Sequence, residues 1–491
     1  MRRTRTILVL FAGSLAAACS EQNIPVAPQL PAAGAARAAK VPRSDGYIVI
    51  LKTGARLNRV RPGARLGDVV ALRPSSRAQD ATVSGIVPSI HGFVVRGAAS
   101  AADISGADVA EVVPNYEADI IDSLPNPFPA AELLIEADAS ATPTGTDQSS
   151  AFFFANSTQW NYKKISANRA WVPSRGGAGA KVCITDSGID PGHVAFVGKT
   201  IQSTSFIANS DPQVDSVGHG SHVAGTISTN GVGGASVAPD VTLMTAKVFN
   251  GLGGGATTSV LLNAVAWCAD NGADVINMSL GFTGGVPIAG NEAFIAAFEA
   301  GLDYATSRGV LIVAAAGNDG MTLPVAGRIF LPAEAPGVAS VAATAPTTNL
   351  APFGSPTWLS PTAAFDGIAS YSNRGGVPSI DISAPGGDRL SAAWPSQSLI
   401  ISVCSRQFLS GGTFPCAANG FFLFEAGTSM ASPHVAGVAA LIRARWPSSV
   451  RSPALRSRVE SCLFRSVDNV GSPAVFGRGR VNAYKATTQP C

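Results

Sequence analysis

Three short stretches of this 491-residue chain carry residue types that can cooperate in nucleophilic catalysis. In Ile184-Thr185-Asp186-Ser187-Gly188-Ile189-Asp190 an Asp ends an apolar run and a glycine turn follows. Open α/β sheets place their active sites at such carboxyl ends of buried strands. In Gly218-His219-Gly220-Ser221-His222-Val223-Ala224-Gly225 glycines flank a His where a small-residue helix begins. A His there can orient on a carboxylate and act as a general base. In Gly427-Thr428-Ser429-Met430-Ala431-Ser432-Pro433-His434 a Ser between small residues opens a helix, whose N-terminus favours negative charge forming beside it. A Ser is a weak nucleophile without an adjacent base. Taken singly, each stretch has a plainer reading: a turn Asp, a structural His, an N-cap Ser. His219 and His222 do not read as a zinc pair, because a zinc-protease helix needs a Glu directly after its first His. Taken together, in the order Asp186, His219, Ser429, they can form a triad. The carboxylate orients the imidazole, the imidazole takes the proton, and the hydroxyl attacks a carbonyl. His222 reads as structural.

These residues need a scaffold, and the apolar pattern supplies one. Residues 182–185, 241–248, 275–278, 310–315 and 338–342 are short unbroken apolar runs, as strands buried on both faces require. Helical patterns over 222–228, 258–271, 292–307 and 432–445 lie between and after them. Strands alternating with helices predict an α/β domain with a doubly wound, mostly parallel sheet and helices on both faces. Upstream the texture differs. Strand-like runs at 47–51, 86–87, 93–95 and 109–113, with helical stretches near 63–72 and 99–106, give the order βαββαβ of a small ferredoxin-like α+β unit. Residues 122–150 are Pro-, Ala- and Thr-rich, with acidic residues and no Lys or Arg, and read as a linker.

Composition bounds the function. The net charge is +3 and charged residues are 14% of the chain, so there is no electrostatic footprint for nucleic acid. Hydrophobic residues at 46% exclude a wholly disordered chain. Arg2, Arg3 and Arg5 precede a short apolar stretch from Ile7 to Leu15 and then Ala16-Ala17-Ala18, the pattern of an export signal. Cys19 follows directly, and the site resembles a lipoprotein cleavage site with Ala16 where a larger aliphatic residue is preferred. Lipidation at Cys19 and plain secretion both fit. Either route leads to an oxidising compartment, where disulfides form.

The three stretches resemble the signatures of subtilisin-like serine proteases, the subtilases, and in particular their secreted proteinase K-like members. Ser221 stands where Thr is commoner, and both carry the hydroxyl. The resemblance implies a serine endopeptidase that acts on polypeptides through an acyl-enzyme, as a monomer, with no cofactor needed for chemistry and calcium as a structural ion. In Ala314-Ala315-Ala316-Gly317-Asn318-Asp319-Gly320, Asn318 matches the residue that donates to the oxyanion, beside the Ser429 N–H. Ser279, Leu280 and Gly281, with Ala315 and Gly317, match the substrate-binding segments, where an extended peptide pairs by its main chain. Phe282 replaces the small residue that often follows. The resemblance also implies a division into a signal peptide at 1–18, a tether at 19–43, an inhibitory propeptide at 44–121, a linker with the processing site at 122–157 and the catalytic domain at 158–491. On this reading the enzyme is a secreted, autoprocessed zymogen, inhibited by its own propeptide. Lipidation would anchor only the precursor.

Two other classes of protein fit the sequence less well. An α/β-hydrolase esterase needs the chain order Ser, acid, His, which is absent after Ser429. A non-catalytic protein on a protease scaffold would be expected to lack a triad residue or Asn318, and none is missing. Of the seven Cys, Cys404 and Cys416 bracket a segment between two strand-like runs, 399–403 and 421–424. They are expected to staple a β-hairpin that leads into the nucleophile turn. Cys462 and Cys491 are expected to pair and pin the chain end. Cys183 and Cys268 are expected to be separate buried thiols.

Overall fold

The computed structural model describes residues 42–490, other than 70–71, 99, 121–133, 137–144, 252–254, 347–365, 389–397 and 411. The expected signal, Cys19 and Cys491 lie outside the described residues, as does most of the linker.

The amino-terminal unit contains β1 (Ser44–Leu51), β2 (Thr82–Val87), β3 (Gly92–Arg96) and β4 (Val109–Ile120). They form an antiparallel sheet in the order β4-β1-β3-β2. Both faces are covered, and β1 shows the period of two that this demands. Val49 and Leu51 pack into the unit's own core with Phe93 and Val95. Ile48 faces the other way, into a cluster shared with the large domain. The two expected helices are short 3-10 turns at Leu66–Asp68 and Ala101–Asp103. Around the first, the amides of Leu66 and Gly67 bond to the carbonyls of Ala81 and Gln79, so the backbone is satisfied across the chain. The second is one turn closed by a capping box between Ser100 and Asp103.

A three-residue strand, β5 (Leu134–Glu136), stands in the segment read as linker. The large domain then provides β6 (Lys181–Asp186), β7 (Ile201–Ser205), α1 (His219–Ile227), β8 (Thr242–Lys247), β9 (Ala256–Thr257), α2 (Thr258–Asp270), β10 (Val275–Met278), β11 (Leu280–Gly281) and α3 (Glu292–Thr306). It continues with β12 (Leu311–Ala315), β13 (Val338–Ala345), β14 (Ile382–Pro385), β15 (Ile400–Val403), β16 (Phe421–Glu425) and α4 (Thr428–Arg443). The central order β7-β8-β6-β10-β12-β13-β14 is parallel throughout. The chain leaves β6 toward β7 and returns to β10 on its other side, so β6 and β10 flank the topological switch point. Side chains alternate across the sheet: Val182 and Ile184 face the α1 and α4 core, while Cys183 and Ile276 face α2 and α3. Packing begins upstream of Trp160, with Gln148, Phe153 and Phe154 buried. Among the described residues no helix is long and apolar enough to cross a membrane.

The cysteines correct one expectation. Cys183 and Cys268 are joined by a disulfide, with Cα atoms 5.9 Å apart. Burial and pairing have the same cause here. Cys268 shares the buried face of α2 with Leu261 and Val265, and that face packs on the side of β6 from which Cys183 projects. Cys404 and Cys416 are joined as well. Cys462 is disulfide-bonded, while its expected partner Cys491 lies outside the described residues.

Candidate active site

Asp186 is the last residue of β6 and His219 the first of α1. Asp186 Oδ1 and Oδ2 lie 2.8 and 3.0 Å from His219 Nδ1. Both residues are buried. The Ser187 amide donates to Asp186 Oδ1 at 2.7 Å and holds the carboxylate in place. The turn after β6 and the start of α1 meet so closely that a Cβ on Gly220 would stand 2.2 Å from the Gly188 carbonyl oxygen. This is why glycine is needed next to the His.

A carboxylate outside the triad joins the same two elements. Asp215 is buried, and its Oδ1 accepts from Ser187 Oγ (2.8 Å) and the Gly218 amide (2.9 Å). Its Oδ2 accepts from the Ser221 amide (2.8 Å) and hydroxyl (2.7 Å). Sequence reasoning missed Asp215 because a loop Asp four residues before a His has no periodicity to mark it. Ser221, noted only for its hydroxyl, uses that hydroxyl here.

Ser429 lies in the first turn of α4 and is buried. Its Oγ is 3.3 Å from the Ser279 carbonyl oxygen. Pro433 sits inside this helix and has no N–H to donate to the carbonyl four residues back. That carbonyl is Ser429's own, and it accepts from Ser279 Oγ at 2.9 Å instead. The turn that carries Ser429 is thereby tied to the segment expected to bind substrate. His222 and His434 are structural, and burial holds their pKa values down to about 3 and about 4. As a neutral ring, His222 donates from Nε2 to the carbonyls of Ile400 (3.2 Å) and Leu423 (3.0 Å). His434 donates from Nδ1 to the Met430 carbonyl at 2.7 Å.

Asn318 follows β12, and its amide orientation is fixed from behind. Its Oδ1 accepts from the Thr428 amide (3.0 Å) and from Thr428 Oγ1 (2.8 Å). The carbonyl half of the side chain is thus committed to the first turn of α4, with the NH2 half turned the other way. Gly317 has φ +108°, and its amide donates to Thr428 Oγ1 at 3.2 Å. Thr428 therefore orients Asn318, a role the sequence reading did not assign. Ala315, at the end of β12, is buried in the strand.

Leu280 and Gly281 form β11, and β11 is paired. β4 runs antiparallel to it, with Leu280 opposite Ile120 and Gly281 opposite Asp119. On the other side β4 pairs with β9, with Ala256 opposite Ala118 and Thr257 opposite Glu117. The end of the amino-terminal unit is thus the middle strand between two edges of the large domain. A Cβ on Gly255 would stand 2.7 Å from Glu117 Cβ, so glycine admits this strand. Asn115 Oδ1 accepts from the Ser259 amide at the start of α2 (2.9 Å), and Tyr116 Oη donates to Asn291 at 2.8 Å. Phe282 turns away into the core, edge-on to Phe294 and Phe298.

The expected hairpin is formed by β15 and β16, with Ile400 opposite Glu425 and Val403 opposite Phe422. Its tip is bound by the Cys404–Cys416 disulfide and by Arg406, which donates to buried Asp190 from Nε (2.8 Å) and Nη2 (2.7 Å). The Leu409 amide donates to the Ser216 carbonyl at 2.9 Å, close to His219. Replacing both Cys404 and Cys416 by Ser is expected to lower the temperature of inactivation, since closing a 12-residue loop contributes about 3 kcal/mol. Residual activity after graded heating checks this. Turnover should fall far less than on loss of Ser429, and an unchanged inactivation temperature would contradict it.

The subtilase family model matches residues 177–479. The chain is 31% identical to thermitase from Thermoactinomyces vulgaris over 337 residues, spanning 68% of this chain and 97% of that one. It is 32% identical to subtilisin DY from Bacillus licheniformis over 334 residues, spanning 68% and 99%. Among solved structures, fervidolysin from Fervidobacterium pennivorans superposes with a TM-score of 0.60 at 21% identity, covering 92% of this chain and 64% of that one. The epidermin leader peptide processing serine protease from Staphylococcus aureus superposes with a TM-score of 0.62 at 19% identity, covering 90% and 97%.

Proposed function

The chain belongs to the subtilase family of serine peptidases, and on that premise we propose that it is a secreted endopeptidase made as a zymogen that cuts itself. In this reading Asp186 holds the imidazole in one tautomer and stabilises its charged form. His219 takes the Ser429 proton as Ser429 Oγ attacks the peptide carbonyl. Asn318 Nδ2 and the Ser429 N–H hold the oxyanion, and His219 returns the proton to the leaving amine. Water then attacks the acyl-enzyme by the same route. Every proton and electron pair moves among these groups, the substrate and water, so the chemistry needs no cofactor. A structural calcium, which the resemblance admits, has no part in any step. Among the described residues no group of three or more His, Cys, Asp or Glu side chains gathers to hold a metal.

The observation that carries the zymogen reading is the position of β4. Its residues 117–120 occupy the strand between β9 and β11, where an extended substrate would lie. Continuing that antiparallel register by one residue reaches Ser279, whose carbonyl is 3.3 Å from Ser429 Oγ. The bond to be cut is then Ile121–Asp122, and the released unit remains a competitive occupant of the cleft. The signal-like amino terminus and the disulfides support export, with lipidation at Cys19 anchoring only the uncut precursor. Substrates are polypeptides, the enzyme works as a monomer, and nucleic acid has no role.

The test is to sequence the amino terminus of the exported product and to assay casein hydrolysis with and without phenylmethylsulfonyl fluoride. A new terminus at Asp122 and hydrolysis that stops with the inhibitor are expected. Cleavage of esters alone would sink the peptidase assignment, and a terminus elsewhere would sink the cut position.

A further inference from the structure

β5 is not needed to connect anything, yet it forms a specific pairing. Leu134, Ile135 and Glu136 run antiparallel to β16, opposite Leu423, Phe422 and Phe421. They complete a three-stranded sheet in the order β15-β16-β5. Leu134 and Ile135 also pack against the core cluster that contains α1 and α4. Without them β16 would present an open edge, which sheets normally pair or cover.

That sheet touches both halves of the catalytic machinery. Its Ile400 and Leu423 carbonyls accept from His222, one turn along α1 from His219. Ser402 Oγ donates to the His222 carbonyl at 2.7 Å. β16 runs from Phe421 to Glu425, and α4 with Ser429 begins three residues later. The segment from 145 onward belongs to the large domain, since Gln148 donates to the Thr229 carbonyl and accepts from the Ser236 amide. A cut at the end of β4 therefore leaves β5 covalently attached to the catalytic domain.

We propose that the β16 edge is a strand-binding site, separate from the substrate cleft, which keeps Leu134–Glu136 on the mature enzyme as an amino-terminal strap. Its occupation holds His219 and Ser429 in mutual register. The proposal rests on the self-cleavage reading only for where the mature chain begins. The strap adds strand by main-chain pairing, with Leu134 and Ile135 supplying the apolar anchor.

To test it, a recognition sequence for a site-specific viral protease is placed at residues 138–143 and cut after the protein has folded. Loss of the strap is expected to lower kcat by roughly 10- to 100-fold with little change in KM for a short peptide substrate, as expected for small misplacement of reacting groups. A synthetic peptide of residues 131–139 should restore kcat, and one carrying Leu134→Asp and Ile135→Asp should not. In the matured, cut enzyme inactivated with phenylmethylsulfonyl fluoride, the labelled wild-type peptide should bind and resist competition by a peptide of residues 115–121, which targets the cleft. Unchanged kcat after the strap has left, or competition by the cleft peptide, would overturn the proposal. So would a fully active mature enzyme that begins beyond Glu136. A chain that never cuts itself would defeat the zymogen reading, and a second engineered cut at residues 122–128 would then free the strap and still test the edge.

Discussion

Ser429→Ala is expected to lower kcat by about 10⁴–10⁶ and to leave the chain uncut at the end of β4. The two effects share a cause. Ser429 Oγ lies against the Ser279 carbonyl, at the position reached by the register of Ile120 and Leu280. Without the hydroxyl no acyl-enzyme forms, and the cleft stays filled by residues 117–120. The amino-terminal unit should also remain bound, because it shares a buried cluster with α2 and α3 and its Asn115 accepts from the first turn of α2. Purified Ser429→Ala protein, followed by intact mass over days, checks this directly. Maturation of that protein in the absence of any other protease would exclude self-cleavage. If Cys19 is lipidated, the uncut variant should fractionate with membranes.

The second large effect is at Asn318. Asn318→Ala should reduce kcat by about 10²–10³ with KM nearly unchanged, because the donor acts on charge that exists only in the tetrahedral intermediate. The structure adds a sharper expectation for its neighbour. Thr428 supplies both hydrogen bonds that fix the Asn318 carbonyl. Thr428→Val removes one of them, together with the acceptor of the Gly317 amide that precedes Asn318, and keeps the shape, so it should lower kcat by a smaller factor. Combined with Asn318→Ala, it should cost little more than Asn318→Ala alone, because its effect passes through Asn318. A fully additive double variant in steady-state assays would show that Thr428 acts by another route.

The candidate catalytic residues were legible in the sequence because each lies in a run of small residues that close packing requires, as the Gly220 contact with Gly188 illustrates. The parallel strands were legible because burial on both faces leaves unbroken apolar runs. Features that depend on a distant partner were not. The fourth strand was expected to span 109–113 and extends to Ile120, because its second half pairs with β9 and β11, elements far along the chain. β5 is a pair of apolar residues in a Pro- and Ala-rich acidic stretch, and only the β16 edge makes it a strand. Cys183 and Cys268 each read as buried, but pairing required knowing which face of β6 meets which face of α2. The two helices expected in the amino-terminal unit became single turns: the amides of Leu66 and Gly67 bond across to Ala81 and Gln79, and the carbonyls of Asp103 and Ser105 accept from Ser75 and Arg73.

The β15–β16 hairpin has a consequence for how this chain can change. Its base is committed on every side: to α1 through His222 and Ser402, to α4 by direct continuation, and to the core through Phe422 and Phe153, whose rings meet edge to face. A residue gained or lost there would shift side chains to the opposite face of the sheet. Among the described residues, the tip between Cys404 and Cys416 is anchored over 406–409, by Arg406 on Asp190, Phe408 against the core and Leu409 on Ser216, while the hydrogen bonds of Ser410 and Thr413 stay within the loop. Phe414 is 55% exposed there. The disulfide thus acts as a boundary. Below it length is fixed by the ties to α1 and α4, and above it, beyond Leu409, the loop can lengthen, shorten or carry a grafted peptide while the hairpin base keeps its register.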